Sequence, residues 1–102
     1  PTAVFTCNNM TTLGCLRYMQ EHHLKISRDI ALVCFDDIKE LEYANVHLTS
    51  VLRPIYEMGY EAMNILERRF EDKERSGTIR HITRRHYVNP WLEVRGSEKL
   101  IQ

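Results

Sequence analysis

Two adjacent carboxylates, Asp36 and Asp37, stand directly after the apolar run Ile30 to Phe35 (Ile-Ala-Leu-Val-Cys-Phe). A short run without polar alternation is the pattern of a parallel strand covered on both faces, and open α/β sheets bind ligands beyond the carboxyl ends of their strands. An ionised carboxylate at that place can accept from two neighbouring hydroxyls of a small guest. The same groups could equally cap the turn after the strand or receive a lysine, and the residues alone leave both uses open. Adjacent residues at a strand end point in different directions, which argues against the pair working together as acid and base. His22, His23, His47, His81 and His86 are scattered, and the chain holds no H-E-x-x-H, no G-x-S-x-G and no glycine-rich phosphate loop. The expectation is a binding protein and not an enzyme, with no catalytic residue, no metal and no cofactor.

Those carboxylates need a scaffold, and the chain supplies a strand, helix, strand unit. A strand is expected at Ala3 to Thr6, then a helix from about Met10 to His23 with Asn8 or Asn9 capping its first amides. The helical stripe is Leu13, Leu16, Met19 or Gln20, and His23 or Leu24. Ser27 to Asp29 form a turn before the strand Ile30 to Phe35, and the crossover should be right-handed. Ile38 to Tyr43 read as one or two helical turns, and Leu48 to Leu52 as a short extended piece. Pro54, whose missing N–H costs nothing at a helix start, opens a second helix to Phe70. Met58, Ala62, Ile65, Leu66 and Phe70 are its expected buried stripe, and Glu67 to Arg75 its solvated end and a loop. Ile79 to Thr83 suggest a short strand, and Tyr87 to Val88 and Trp91 to Val94 look extended. The first two strands are apolar on both sides while their crossover covers one face, so something beyond this chain is expected to cover the other. A chain opening on Pro1 reads as a piece of a longer protein.

Composition narrows the class of partner. Fourteen Lys and Arg balance fourteen Asp and Glu, which argues against a surface built to neutralise phosphates, so this piece is not expected to hold DNA itself. The basic cluster Arg80, His81, Arg84, Arg85 and His86 reads as a solvated loop and strand edge. No stretch approaches the roughly 20 apolar residues that span a bilayer, and no leader opens the chain, so no membrane partner is expected. Cys7, Cys15 and Cys34 lack C-x-x-C spacing and sit in apolar contexts, as buried free thiols of a reducing cytoplasm would.

Three spaced blocks, PTAVFTCNNMTTL from Pro1, IALVCFDDI from Ile30 and LTSVLRPIYEMG from Leu48, with the ending Val94-Arg95-Gly96-Ser97, carry a family likeness. Together they resemble the effector-binding core of the lactose/galactose repressor family of transcriptional regulators. The resemblance implies an α/β fold, a parallel sheet with flanking helices forming an incomplete periplasmic-binding-protein-like core. It implies that residues 1–52 belong to the C-terminal lobe, 53–84 to the N-terminal lobe and 85–102 to the returning tail, with the DNA-binding helix-turn-helix absent. Asp36 falls where the family places a carboxylate that grips ligand hydroxyls, and Asn8 where it places an amide beside it. Asn8 is equally suited to cap the helix, and Asp37 is expected to hold the loop. This chain has Asn8-Asn9 where many members have Asn-Asp, and Cys34 where a glycine is usual. Arg53 stands where Gln is common, and could read a phosphorylated or acidic effector or make a salt bridge between lobes. Leu13, Tyr43 and Ala44 match positions of the subunit contact, implying a homodimer. The implied partners are a small effector (sugar, nucleoside or phosphorylated derivative) and operator DNA, the latter through the missing domain, in the cytoplasm. The alternative is a sugar-binding protein of a transport system with the same fold.

Overall fold

In the computed structural model, residues 1–77 and 85–101 are described. The apolar run becomes β2 (Ala31–Phe35), lying between β1 (Ala3–Thr6) and β3 (Thr49–Leu52), to both of which it pairs in parallel. β4 (Trp91–Glu93) pairs antiparallel with β3, so the sheet runs β1-β2-β3-β4. The expected α/β architecture is present, with one antiparallel edge strand supplied by the segment read as extended from Trp91. Ile30 does not belong to β2; it makes an isolated bridge with Ile26.

Helix α1 (Asn9–Glu21) returns the chain from β1 to β2 and packs on one face of the sheet. Leu32 and Cys34, two apart and therefore on one side of β2, form the centre of the core with Leu48. Cys15 and Leu16 of α1 close over them, and Val4, Ile26, Leu41 and Val46 fill the margin. On α1, Met19 is buried and Leu16 partly buried, and Leu24, just past the helix, is partly buried too, as the helical stripe expects. Thr12, however, is wholly buried while Leu13 is exposed. The helix stops two residues short of His23 because His23 adopts left-handed backbone, φ 54°. The Leu24 N–H then bonds the Met19 carbonyl and the His23 N–H the Gln20 carbonyl, a closing turn that satisfies orphan carbonyls.

The opposite face is less covered: Phe5 and Leu92 are 53% and 55% exposed. That asymmetry is what a sheet apolar on both sides shows when one helix serves one face. Of the three thiols, Cys34 is buried and Cys15 partly so, but Cys7 is exposed and corrects the expectation of three buried sulfurs. It lies past the end of β1, in the turn before α1, where the chain leaves the sheet. Burial, and after it the neighbouring Cys34, pushes the Cys15 thiol pKa up.

The chain divides into two compact units, Pro1–Leu52 with Pro90–Gln102, and Arg53–Asn89. The second contains α2 (Ile55–Ser76), entered from Pro54 and closed by Gly77 in left-handed conformation, φ 73°. The helix runs past Phe70 through the charged stretch read as a loop, whose Lys73 and Arg75 in the last turn suit the negative end of the helix dipole. Its expected buried stripe is corrected as well: Met58, Ala62, Leu66 and Phe70 are exposed and Ile65 is partly buried. Periodicity tells which side chains share a face, not what lies against it. Ile79 to Thr83, and Arg80, His81 and Arg84 of the basic cluster, lie outside the described residues; Arg85 and His86 are exposed. No helix among the described residues is long and apolar enough to cross a membrane.

Candidate functional site

Parallel pairing fixes where the two predicted ligand residues fall. Thr6 is opposite Cys34 in the parallel pair of β1 and β2, and Asn8, two residues past Thr6, and Asp36, two past Cys34, both lie beyond the carboxyl ends of these neighbouring strands. The structure therefore brings these two positions to one edge.

The turn at Asn8 is built from its own neighbourhood. Its side-chain Oδ1 accepts the Thr11 N–H at 2.8 Å, which makes Asn8 the cap of α1. Its carbonyl accepts both the Thr12 N–H and the Thr12 hydroxyl at 2.9 Å. Because the Thr12 proton is committed there, the 2.7 Å contact between the Thr6 and Thr12 hydroxyls must be donated by Thr6. A relay from Thr6 to Thr12 to the Asn8 carbonyl thus ties β1, α1 and the turn together, with both threonines buried. Asn8 itself is exposed, and the cap does not use its Nδ2 hydrogens.

The turn at Asp36 is built from afar. Asp36 has left-handed backbone, φ 69°, and its N–H donates to the Val51 carbonyl at 2.9 Å. That conformation costs an ordinary residue about 1–2 kcal/mol, although Asp and Asn tolerate it best. Asp37 then enters a two-pronged ion pair: Arg95 Nη1 reaches Oδ1 at 2.9 Å and Nη2 reaches Oδ2 at 3.1 Å. The same Nη1 donates to the Leu48 carbonyl at 2.7 Å, and the Arg95 N–H donates to Thr49 Oγ1 at 2.9 Å. Gly96, at φ 108°, allows the chain to turn there, which a side chain would resist. Ser97 is buried between β2 and β3, where its hydroxyl accepts the Thr49 N–H at 2.7 Å and donates to the Leu32 carbonyl. Its own carbonyl accepts the Leu32 N–H.

Sequence reasoning gave Asp37 the task of holding the loop, and its ion pair fits that task. It assigned no task to Arg95 or Ser97. The only signal was the tetrapeptide Val94-Arg95-Gly96-Ser97, in which the partners of Arg95 and Ser97 lie 46 to 65 positions away. Beside the clamp, Asp37, Ile38, Lys39, Glu42, His47 and Arg95 line a cavity of about 130 Å³, below the roughly 300 Å³ at which small-molecule pockets begin. Arg53 belongs to the second unit, where it is partly buried and its carbonyl accepts the Ile55 N–H. Leu13 on α1, and Tyr43 and Ala44 on the 3₁₀ turn Lys39–Ala44, are exposed, Tyr43 to 91%. No group of three or more His, Cys, Asp or Glu among the described residues is arranged to hold a metal ion.

The family described as "Periplasmic binding protein-like domain" matches residues 1–97. The chain belongs to the periplasmic binding protein-like domain family. Among its relatives are proteins named HTH-type transcriptional repressor PurR, from Vibrio campbellii at 34% identity over 97% of this chain and from Vibrio vulnificus at 36% over 99%. The resemblance to lactose/galactose-type repressors is thereby borne out. This periplasmic-binding-protein-like chain spans 28% of the length of either relative. A crystal structure of a candidate transcription regulator from Staphylococcus saprophyticus superposes with TM-score 0.78, over 98% of this chain and 34% of that one. At 24% identity that likeness speaks to the fold alone.

Proposed function

We propose that this chain is part of the effector-binding core of a DNA-binding transcriptional regulator, and that Asn8 and Asp36 contact a small polyhydroxylated effector, a sugar or a nucleoside. The observation that supports the reading is that Asn8 and Asp36 both follow the carboxyl ends of adjacent parallel strands, with Asp36 in a strained backbone. Such strain persists where surrounding structure enforces it, and it concentrates at ligand sites. A carboxylate at Asp36 accepts from ligand hydroxyls, and the Asn8 amide orients the guest beside it.

On this reading residues 1–52 and the tail from 85 onward belong to the C-terminal lobe, and residues 53–84 to the N-terminal lobe. The separation of Arg53–Asn89 from the rest supports that division. Arg53 would meet a phosphorylated or acidic effector, or bridge the lobes. Exposed Leu13, Tyr43 and Ala44 would serve a homodimer, and operator DNA would be held by a helix-turn-helix domain elsewhere in the protein, in the cytoplasm. Effector binding would favour one closure of the lobes, and its leverage on operator affinity is set by its differential affinity for the two closures.

The test is a thermal-shift screen of sugars, nucleosides and their phosphates on the natural full-length protein, followed by titration of whichever compound stabilises it. Asp36→Asn keeps a residue that tolerates left-handed backbone but removes the charge; it should weaken that compound at least about ten-fold. Unaltered affinity would end the assignment of Asp36. The second reading, a sugar-binding component of a transport system, is favoured by the periplasmic description of the family itself. A signal peptide upstream of Pro1, in place of a helix-turn-helix, would select it.

A further inference from the structure

Asp36 owes its place in part to groups on other elements of the fold. Its backbone is held on one side by the bond from its N–H to the Val51 carbonyl and on the other by the capture of the next residue, Asp37. Asp37 is gripped at both oxygens, which removes rotation about the carboxylate as well as translation. The grip is itself anchored, because Arg95 Nη1 also holds the Leu48 carbonyl and the Arg95 backbone N–H holds Thr49, at the start of β3. Ser97, two residues on, locks the same tail between β2 and β3.

We propose that Arg95 is the positioning residue of the ligand site: through Asp37 it fixes the left-handed turn from which the Asp36 carboxylate projects at the sheet edge. The inference rests on the proposed role of Asp36 as a ligand contact. The pair is neither buried nor freely solvated, its side chains being 27% and 19% exposed, and the adjoining cavity lets water reach it. Its mutual attraction is therefore moderated by solvent, and its distinctive contribution is geometric.

The experiment uses Arg95→Lys in the natural full-length protein, because lysine keeps the charge and loses the fork. D-ribose, D-galactose and adenosine serve as probes, titrated calorimetrically at a temperature where circular dichroism shows each variant fully folded. The expected result is a loss of affinity of about ten-fold for whichever probe the unsubstituted protein binds, since small misplacements of a binding group carry penalties of that size or more. In an Asp36→Asn background the same change should cost almost nothing, because no carboxylate remains to be aimed. The Asp36 ¹³Cα chemical shift, which follows φ, should move away from its left-handed value in Arg95→Lys without ligand. Binding by the unsubstituted protein that is unchanged in Arg95→Lys, or a loss that persists at full size in the Asp36→Asn background, would overturn the inference and leave the reading of Asp36 standing. Failure of all three probes to bind the unsubstituted protein would overturn the two together.

Discussion

Around Asn8 every described hydrogen bond closes within six residues: the side chain with Thr11, the carbonyl with Thr12, and Thr12 in turn with Thr6. Around Asp36 and Asp37 the partners include Val51 and Arg95, the latter 58 positions along the chain. Both turns deliver one residue to the same sheet edge, by opposite routes. A turn of the first kind forms with its helix and depends on little else. A turn of the second kind exists only once β3 and the returning tail are in place, so the carboxylate half of the site is hostage to the completeness of the fold.

That contrast can be broken most severely at Ser97. Ser97→Ala deprives the buried Thr49 N–H of its acceptor and the Leu32 carbonyl of a donor, at an expected cost of about 1–3 kcal/mol. Amide exchange should accelerate at Asp36 and Thr49, with the amides of Thr11 and Thr12 keeping their relative protection. Equal acceleration at both turns would show that they are not independent. Asn8→Ala is the converse change and should cost about 1 kcal/mol through loss of the cap. Its effect on exchange should be concentrated at Thr11 and Thr12, and the Asp36 amide should be spared. The smallest expected effect comes from strengthening the local side: a Cβ at Gly14 would meet nothing within 4 Å, so Gly14→Ala should stabilise α1 by about 0.5–1 kcal/mol. Thermal unfolding of the variant would register the gain, and a lower unfolding temperature would mean that α1 is constrained by more than its own propensity.

The same contrast explains what could be read from the residues. The strand at Ala3 to Thr6, the interior strand ending at Phe35 and the capping role open to Asn8 were legible because each is specified by a handful of consecutive residues. That Asn8 and Asp36 both fall past the carboxyl ends of neighbouring strands followed from parallel pairing, which the double-sided apolar pattern implied. The end of α1 at Glu21 was not legible, since no rule singles out His23 for left-handed backbone when glycine is the usual choice. Nor was Thr12 expected in the interior, because its burial is compensated by a hydroxyl relay that periodicity cannot reveal. Arg95 and Ser97 were visible only as part of a familiar ending, their partners being set by the tertiary fold. The exposed faces of α2 mark the same limit: spacing predicted which apolar residues align and overstated their burial.

The engagement of the Asn8 side-chain oxygen in the helix cap has a stereochemical consequence. With one lone pair of that oxygen committed to the cap, Asn8 keeps its Nδ2 hydrogens to offer a guest, whereas a carboxylate at Asp36, past the end of the next strand, offers only lone pairs. On the proposed reading the edge is therefore polarised across a single strand spacing, and a bound sugar meets the two polarities in a fixed order. Two such contacts set the direction in which a guest lies along the edge, and a third, from an enclosing wall, is needed to tell it from its mirror image.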